Sequence, residues 1–412
     1  MAAESSSFSF LHAADFHLDA IPACLALVPD KLRDTIVDAT YDAAERVIDT
    51  ALAQRVDFVV LSGDLLCPTR VGPRSVAFLV EQFERLRRAD IAVYWAAGTT
   101  DDSLGWPDEI PLPPNVYRFR RGRIEEQVHS IDNEPVARIV GAGRDPNRRL
   151  RTSDYEPDSE DLFTIAIVHG RVKPTALIGH GIDYWALGGR HDRHTLLDDQ
   201  TLAHYSGRPQ GLDFSEPGPH GCTIVRVDRT GNVQLSSPAT DRIRWHEVTV
   251  PIGTATTTDA LEGLLFDEAA TIIDRADETD LLVRWTLIGR ADRILHLYQD
   301  QTDAKMLDWL RENFAANKPS LWSESIELLI EDDLPDSWYE QETIRGDYLR
   351  AVRKSKGKKA ASVDLTQFLP VDADQDTVKL LARKMSAAAR DRLVRDITLR
   401  GANLLTAEEQ LS

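Results

Sequence analysis

The sequence predicts a layered α/β fold of two packed mixed sheets flanked by helices, followed by a small α+β unit and a helical tail. Three observations predict it. Short β-rich runs alternate with helix-length amphipathic segments through the first hundred residues. After Trp106 the pattern turns into a series of shorter β-like runs, the signature of a second sheet. Beyond residue 250 a helix–strand–helix–strand pattern returns. At 412 residues the chain is long enough for two or three domains.

Residues 8–14 read as a strand that runs into Asp15. Residues 31–55 carry Leu32, Ile36, Ala44, Val47, Ile48 and Leu52 at helical spacing. Residues 57–61 form a second strand ending at Ser62-Gly63, and Pro73 opens a helix reaching about Arg88. Residues 91–97 form a third strand. Pro107, Pro111, Pro113 and Pro114 then interrupt any helix. Strands are expected at 116–119, 136–140, 162–168, 183–187 and 222–227. A Thr-rich linker at 254–258 precedes a helix (260–275), a strand (280–288), a long helix (291–315) and a strand (325–330). A basic stretch, 346–359, reads as a solvated linker, and a last helix is expected over 376–399. The expected division is 1–245, 246–340 and 341–412.

Composition limits the function. Lys and Arg number 48 and Asp and Glu 67, a net charge of −19, which disfavours nucleic-acid binding by the surface as a whole. No apolar run approaches the ~20 residues of a membrane span. The polar start lacks the pattern of a signal peptide, and Cys24, Cys67 and Cys222 are too scattered for a disulfide framework or a metal knuckle. A cytoplasmic protein with reduced thiols is expected.

Polar residues gather at the C-terminal ends of the expected strands, where open α/β sheets bind ligands. Asp15 and His17 follow the first strand, Asp64 the second, and Gly98-Thr99-Thr100-Asp101 the third. His169 and His191 follow two later runs. Carboxylates mixed with imidazoles suit manganese, iron or zinc rather than calcium.

These motifs in this order, DxH, GD, GTTD, H and GGRH, resemble the calcineurin-like metallophosphoesterases, whose pattern is DxH, GD, GNHD, H and GHxH. The stretches FLHAADFHLDA, VVLSGDLL, VYWAAG, DYWALG and YSGRPQGLDFSEPGPHGCTIVRVD are similar to the SbcD/YhaO-type DNA-repair exonucleases, over residues 8–245. The likeness is looser over 245–350, the family's capping region, and IRGDYL fits the same subgroup. It implies a two-sheet metallophosphoesterase sandwich with a small capping domain. It also implies a manganese-dependent DNA phosphodiesterase or exonuclease, a homodimer, and an SbcC-type or YhaN-type ATPase as partner. Asp15, His17 and His191 would hold the first metal, Asp64 would bridge, and His169 would hold the second.

Against that pattern Thr99 replaces the Asn that ligates the second metal. Thr100 replaces the His that protonates the leaving oxygen, and Gly189 replaces a His ligand. All three losses fall on the second-metal side, so one filled site and a weak or empty second are expected. Arg190 is a candidate to supply the missing cation, with Asp101, Asp102, His180, Asp192 and His194 close in sequence. Arg118, Arg120, Arg121 and Arg123, and Arg144, Arg148, Arg149 and Arg151, are candidate DNA-phosphate contacts, as is the basic stretch from Arg350. For the first cluster, pairing with Glu125 and Glu126 is the competing expectation. Three readings follow: a DNA phosphodiesterase, a catalytically silent DNA-binding or scaffolding subunit, and a one-metal phosphodiesterase on a small substrate.

Overall fold

The computed structural model describes residues 7–22, 28–66, 72–104, 109–148, 150–157, 162–198, 201–253, 257–290, 302–330 and 336–356, with single positions between and beyond them. Cys24, Cys67, Arg149 and most of the expected 376–399 helix lie outside the described residues.

Two compact units emerge. The first is Met1–Glu247 with Ile273–Val283 and Ala316–Glu324; the second is Val248–Ile272, Arg284–Ala315 and Ser325–Ser412. The first unit holds two six-stranded sheets, the expected mixed α/β architecture.

The first sheet has the order β12 (Val233–Ser236), β11 (Thr223–Val227), β1 (Phe8–Ala13), β2 (Phe58–Leu61), β3 (Ala92–Trp95) and β4 (Val116–Arg118). β1 to β4 run parallel, and β11 pairs antiparallel with β1. Helices α1 (Asp30–Gln54) and α2 (Pro73–Arg88) cover one face, burying Val47, Ile48, Leu79 and Phe83 against Leu11, Val59 and Val93. Pro73 opens α2, where its missing N–H costs nothing, and Arg87 and Arg88 sit at its negative end; a short helix, α3 (Thr99–Leu104), follows β3.

The second sheet has the order β5 (Glu125–Ile131), β6 (Glu134–Gly141), β7 (Phe163–His169), β8 (Tyr184–Gly188), β10 (Leu202–Tyr205) and β9 (His194–Asp198). β6, β7, β8 and β10 are parallel. The sheets bury their facing residues against each other, Phe10, Phe58 and Val60 from one and Ile139, Ile165, Ile167 and Tyr184 from the other. Trp185, Leu187 and Tyr205 pack on the second sheet's other face beneath Tyr155 and Leu177.

The parallel strands β1, β2, β3, β7 and β8 all end on one rim, and two buried imidazoles fasten the sheets beneath it. His12 of β1 shares hydrogen bonds with the Tyr184 hydroxyl (3.0 Å) and the Ser62 hydroxyl (2.8 Å). His204 of β10 bridges Thr195 and Thr223 at 2.9 and 3.0 Å. Burial keeps both rings neutral, lowering His12 well below the ordinary histidine value and His204 to about 4. The unfolded chain therefore binds protons between about pH 6.5 and 4 that the folded chain refuses, so stability falls as pH falls through that window. For His204 this amounts to about 3 kcal/mol. Urea midpoints measured from pH 7 to 4 are expected to drop accordingly; a flat profile would contradict it.

A third sheet has the order β13 (Ile243–Pro251), β14 (Asp280–Gly289) and β15 (Leu321–Ile330). The second unit contains α4 (Thr258–Asp274), α5 (Thr302–Phe314), α6 (Asp336–Tyr339) and α7 (Ile344–Lys356). The basic stretch is thus helical through Lys356 rather than a linker. Arg350 pairs with Asp347 one turn away and Arg353 with Asp336, local partners that a count of charges does not reveal. Of the long expected 291–315 helix, the described part is α5 with the single helical positions Arg293, Ile294 and Leu297 before it. No helix among the described residues is long and apolar enough to cross a membrane.

Candidate metal centre

The loops after β1 and β2 continue the sheet's pairing beyond its strands. Asp15 N–H donates to Gly63 O (2.9 Å), His17 N–H to Asp64 O (3.0 Å) and Leu18 N–H to Leu65 O (3.0 Å). Asp15, His17 and Asp64 adopt left-handed backbone at φ 56°, 46° and 53°. Such angles disfavour residues carrying a Cβ, and they turn the three side chains into the rim. The close approach of these loops requires glycine at two places. A Cβ on Gly98 would stand 2.2 Å from Asp64 Oδ1, and one on Gly188 would stand 1.9 Å from Ser62 O.

Ligand atoms of Asp15, Asp64 and His169 lie within 4.8 Å of one another. Asp15 is fully buried and accepts the Gly189 N–H at 2.8 and 3.1 Å. Burial raises it to about 6, against the pull of His169 and that N–H. Asp64 accepts the Thr100 N–H at 2.7 Å and faces His169 Nε2 at 3.1 Å. Burial alone would raise Asp64, but the His169 bond and charge outweigh it and bring the carboxyl to about 2. Burial likewise opposes the charge on His169, yet Asp64 and Asp15 raise it to about 9. Its Nδ1–H donates to Ser62 O at 2.8 Å, which fixes the ring.

His17 lies edge-on to His191, ring centroids 5.4 Å apart. Burial and then the Arg208 charge lower His17 to about 4, so it is a neutral imidazole at pH 7. Its Nε2 is buried without a hydrogen-bond partner. Carboxylates and imidazoles gathered on one rim, with a neutral imidazole nitrogen left bare among them, are the donor types of a divalent cation of the manganese, iron or zinc kind. Asp15, Asp64 and His169 bring ligand atoms close enough to share one such ion, with the rings of His17 and His191 on the same rim.

The second-metal side is different. Thr99 is exposed, and the Thr100 hydroxyl donates to Leu66 O at 2.6 Å. Its backbone N–H, not its side chain, meets Asp64. Gly189, at φ 85°, places its missing Cβ 3.1 Å from His169 Nε2, leaving no room there for a larger residue without displacement. Asp101 is buried and caps Gly98 and Leu66 N–H groups at 3.0 and 2.9 Å, a scaffold role.

Arg190 does not supply the missing cation: its guanidinium forks onto Asp192 at 2.7–3.0 Å, a neighbour two residues away that wins by proximity. His180 is half-buried and bonds Ala176 O, and His194 is exposed at the start of β9. The side chain of Asp102 lies outside the described positions.

Two residues singled out by no motif complete the centre. Glu216 accepts from His191 Nδ1 at 2.5 Å, and the buried Arg208 donates to Glu216 at 2.9 and 3.1 Å. Burial opposes ionisation of Glu216, but His191 and Arg208 hold it at about 2. This chain of contacts orients His191 with Nε2 available. An Arg and a Glu inside the long YSGRPQGLDFSE stretch were the available signal, but a loop spacing of eight carries no periodicity that marks a contact.

The arginine clusters separate. Arg118 lies over the Trp95 ring (4.8 Å), Arg120 pairs with Glu125 (3.3 Å), and Arg121 with Asp145 (3.5 Å). The first cluster is thereby engaged locally except for the exposed Arg123, the outcome its neighbouring acids foreshadowed, although Glu126 pairs instead with Arg138. Arg144, Arg148 and Arg151 are exposed and line a cavity of about 970 Å³ that reaches His169.

No family model matches the chain. A protein of Bacillus subtilis (strain 168) described as the uncharacterized metallophosphoesterase YhaO is 27% identical over 331 residues, 77% of this chain and 80% of that protein. The likeness supports the metallophosphoesterase superfamily. That description names a metal-dependent phosphoester chemistry for the relative, and in this chain the Asp15, Asp64 and His169 cluster gathers ligand atoms of the type that hold a divalent metal.

Proposed function

We propose that the protein is a metallophosphoesterase acting on DNA phosphodiesters through a single divalent cation, manganese by resemblance, held by Asp15, His17, Asp64 and His191. The observation that supports it best is the convergence of Asp15, Asp64 and His169 ligand atoms within 4.8 Å of one another, with the buried Nε2 of neutral His17 left without a hydrogen-bond partner on the same rim. A cation bound there supplies Lewis acidity toward a phosphoryl oxygen and lowers the pKa of a water.

The chain's own groups set the rest. Gly189 N–H holds Asp15, Thr100 N–H and His169 hold Asp64, and Glu216 holds His191. While no cation neutralises Asp64 and Asp15, they keep positive charge on the His169 ring, on the side where Thr99 and Gly189 stand in place of metal ligands. The hydroxyl of Thr100 is engaged by Leu66 O, so position 100 protonates no leaving oxygen, a loss that costs about 10²–10⁴ in rate. Slow turnover is expected. The same Thr100 geometry favours a second reading, a DNA-binding subunit without catalysis. In either case a homodimer, an SbcC/YhaN-type ATPase partner, a capping role for residues 246–340 and a cytoplasmic location belong to the proposal.

The test is manganese-dependent cleavage of single- and double-stranded DNA and of bis(p-nitrophenyl) phosphate, with Asp64→Asn alongside. Slow DNA cleavage that Asp64→Asn abolishes is expected. Hydrolysis of the small diester alone would move the substrate away from DNA. No hydrolysis of any substrate, with DNA still bound, would select the non-catalytic subunit.

A further inference from the structure

The cavity of about 970 Å³ is lined from two sides. The loop after β6 brings Arg144, Arg148 and Arg151, and the segment after His169 brings Arg171 and Lys173. All five are exposed, and none is ion-paired with a carboxylate among the described residues. In a chain of charge −19 that concentration is an exception, and it adjoins the candidate centre. Arg144 N–H is fixed to Ala97 O (2.9 Å), next to the Gly98 motif. Its guanidinium lies 3.7 Å from where a Cβ on Gly170 would stand, one residue beyond His169. Gly170, at φ 127°, has no side chain to separate the two. The cavity is thus continuous with the rim that bears the metal cluster.

Its chemistry is that of a polyanion site. The cations are spread along the cavity rather than focused on one point, and the Thr152 and Ser153 segment adds hydroxyls. Among the described lining residues Tyr155 is buried and the His169 ring is held by Asp64 and Ser62 O, so neither ring is presented for base stacking. Recognition therefore falls on phosphates, not bases. A duplex holds its two backbones apart across the width of a helix and does not enter a cavity of this size; one backbone does.

We infer that this cavity is a strand-end subsite that grips the phosphates of a few unpaired nucleotides next to the scissile bond, with Arg144 as the cation nearest the centre. The inference rests on the DNA reading above and deepens it: Arg171 and Lys173 join Arg144, Arg148 and Arg151, while the Arg118–Arg121 cluster is not part of the subsite.

The experiment is fluorescence anisotropy with labelled hexathymidylate in EDTA, so that no catalysis is needed. It compares the wild type, the triple variant Arg144→Gln/Arg148→Gln/Arg171→Gln, and a charge-matched triple variant of α2, Arg74→Gln/Arg85→Gln/Arg87→Gln. Thermal melts confirm that each is folded. The cavity variant is expected to lose at least tenfold in affinity at low salt. Its slope of log affinity against log salt is expected to shrink by about 2, the contribution of three single-strand phosphate contacts. The α2 variant is expected to bind as the wild type does. Equal weakening of both variants, or no weakening of the cavity variant, overturns the subsite. A blunt duplex of equal phosphate number that binds as tightly, with the same dependence on the three arginines, overturns the single-strand assignment. Failure of the hydrolytic reading is separate: no hydrolysis with manganese, together with cavity-dependent strand binding, leaves this inference standing.

Discussion

Manganese titrated into the protein is expected to fill one tight site per chain, and Asp64→Asn is expected to weaken that site at least about 10²-fold, beyond the 10–100-fold range of outer partners. The reason is the charge count. Asp15 and Asp64 are the two carboxylates of the cluster with His169, and they are already held by the backbone N–H groups of Gly189 and Thr100 respectively. Asn at 64 keeps the shape and removes half the negative charge. Glu216→Gln, which leaves His191 without its anionic anchor, is expected to weaken the same site by about 10–100-fold. Counting free manganese by electron paramagnetic resonance reads both. Two tight sites per chain would mean that Thr99, Thr100 and Gly189 had not cost the second ion, and the single-cation reading would fall.

The second large effect concerns the rim itself. Gly188→Ala is expected to destabilise the protein by about 3 kcal/mol or more, or to prevent folding, because the new Cβ would stand 1.9 Å from Ser62 O and 3.0 Å from His169 Nδ1. Both atoms belong to the seam between the sheets, and His169 Nδ1 is itself bonded to Ser62 O, so neither yields cheaply. The same substitution at Gly263, inside α4 with open space around it, is expected to stabilise by about 0.5–1 kcal/mol through helix propensity. Urea denaturation of the two variants gives the pair of signs. A wild-type midpoint for Gly188→Ala would show that the rim is looser than this packing requires.

Much of the molecule was legible in advance because local chemistry and side-chain periodicity act over short stretches. Apolar spacing located α1, Pro73 located the start of α2, and short apolar runs, aromatic in β1 and β-branched in β2 and β7, located the strands that deliver Asp15, Asp64 and His169 to one rim. Motif likeness named Asp15, His17, Asp64, His169 and His191, and it marked Thr99, Thr100 and Gly189 as departures. β5, β9, β10, β12 and β13 were not foreseen: edge and short strands alternate weakly, and neighbours far along the chain determine their pairing.

The sequence by itself determined the strand-end placement of the ligands, the layered α/β class and the damage to one half of the metal pattern, since each of these is a property of residues within a few positions of one another. The tertiary structure alone decided which charges meet. It joined Glu216 and Arg208 to His191, turned Arg190 onto Asp192, placed the Thr100 N–H rather than its hydroxyl on Asp64, and drew Arg144 against Gly170. Those are contacts between loops, whose directions depend on left-handed backbone and glycine clearances, and neither residue type nor spacing encodes where such loops converge.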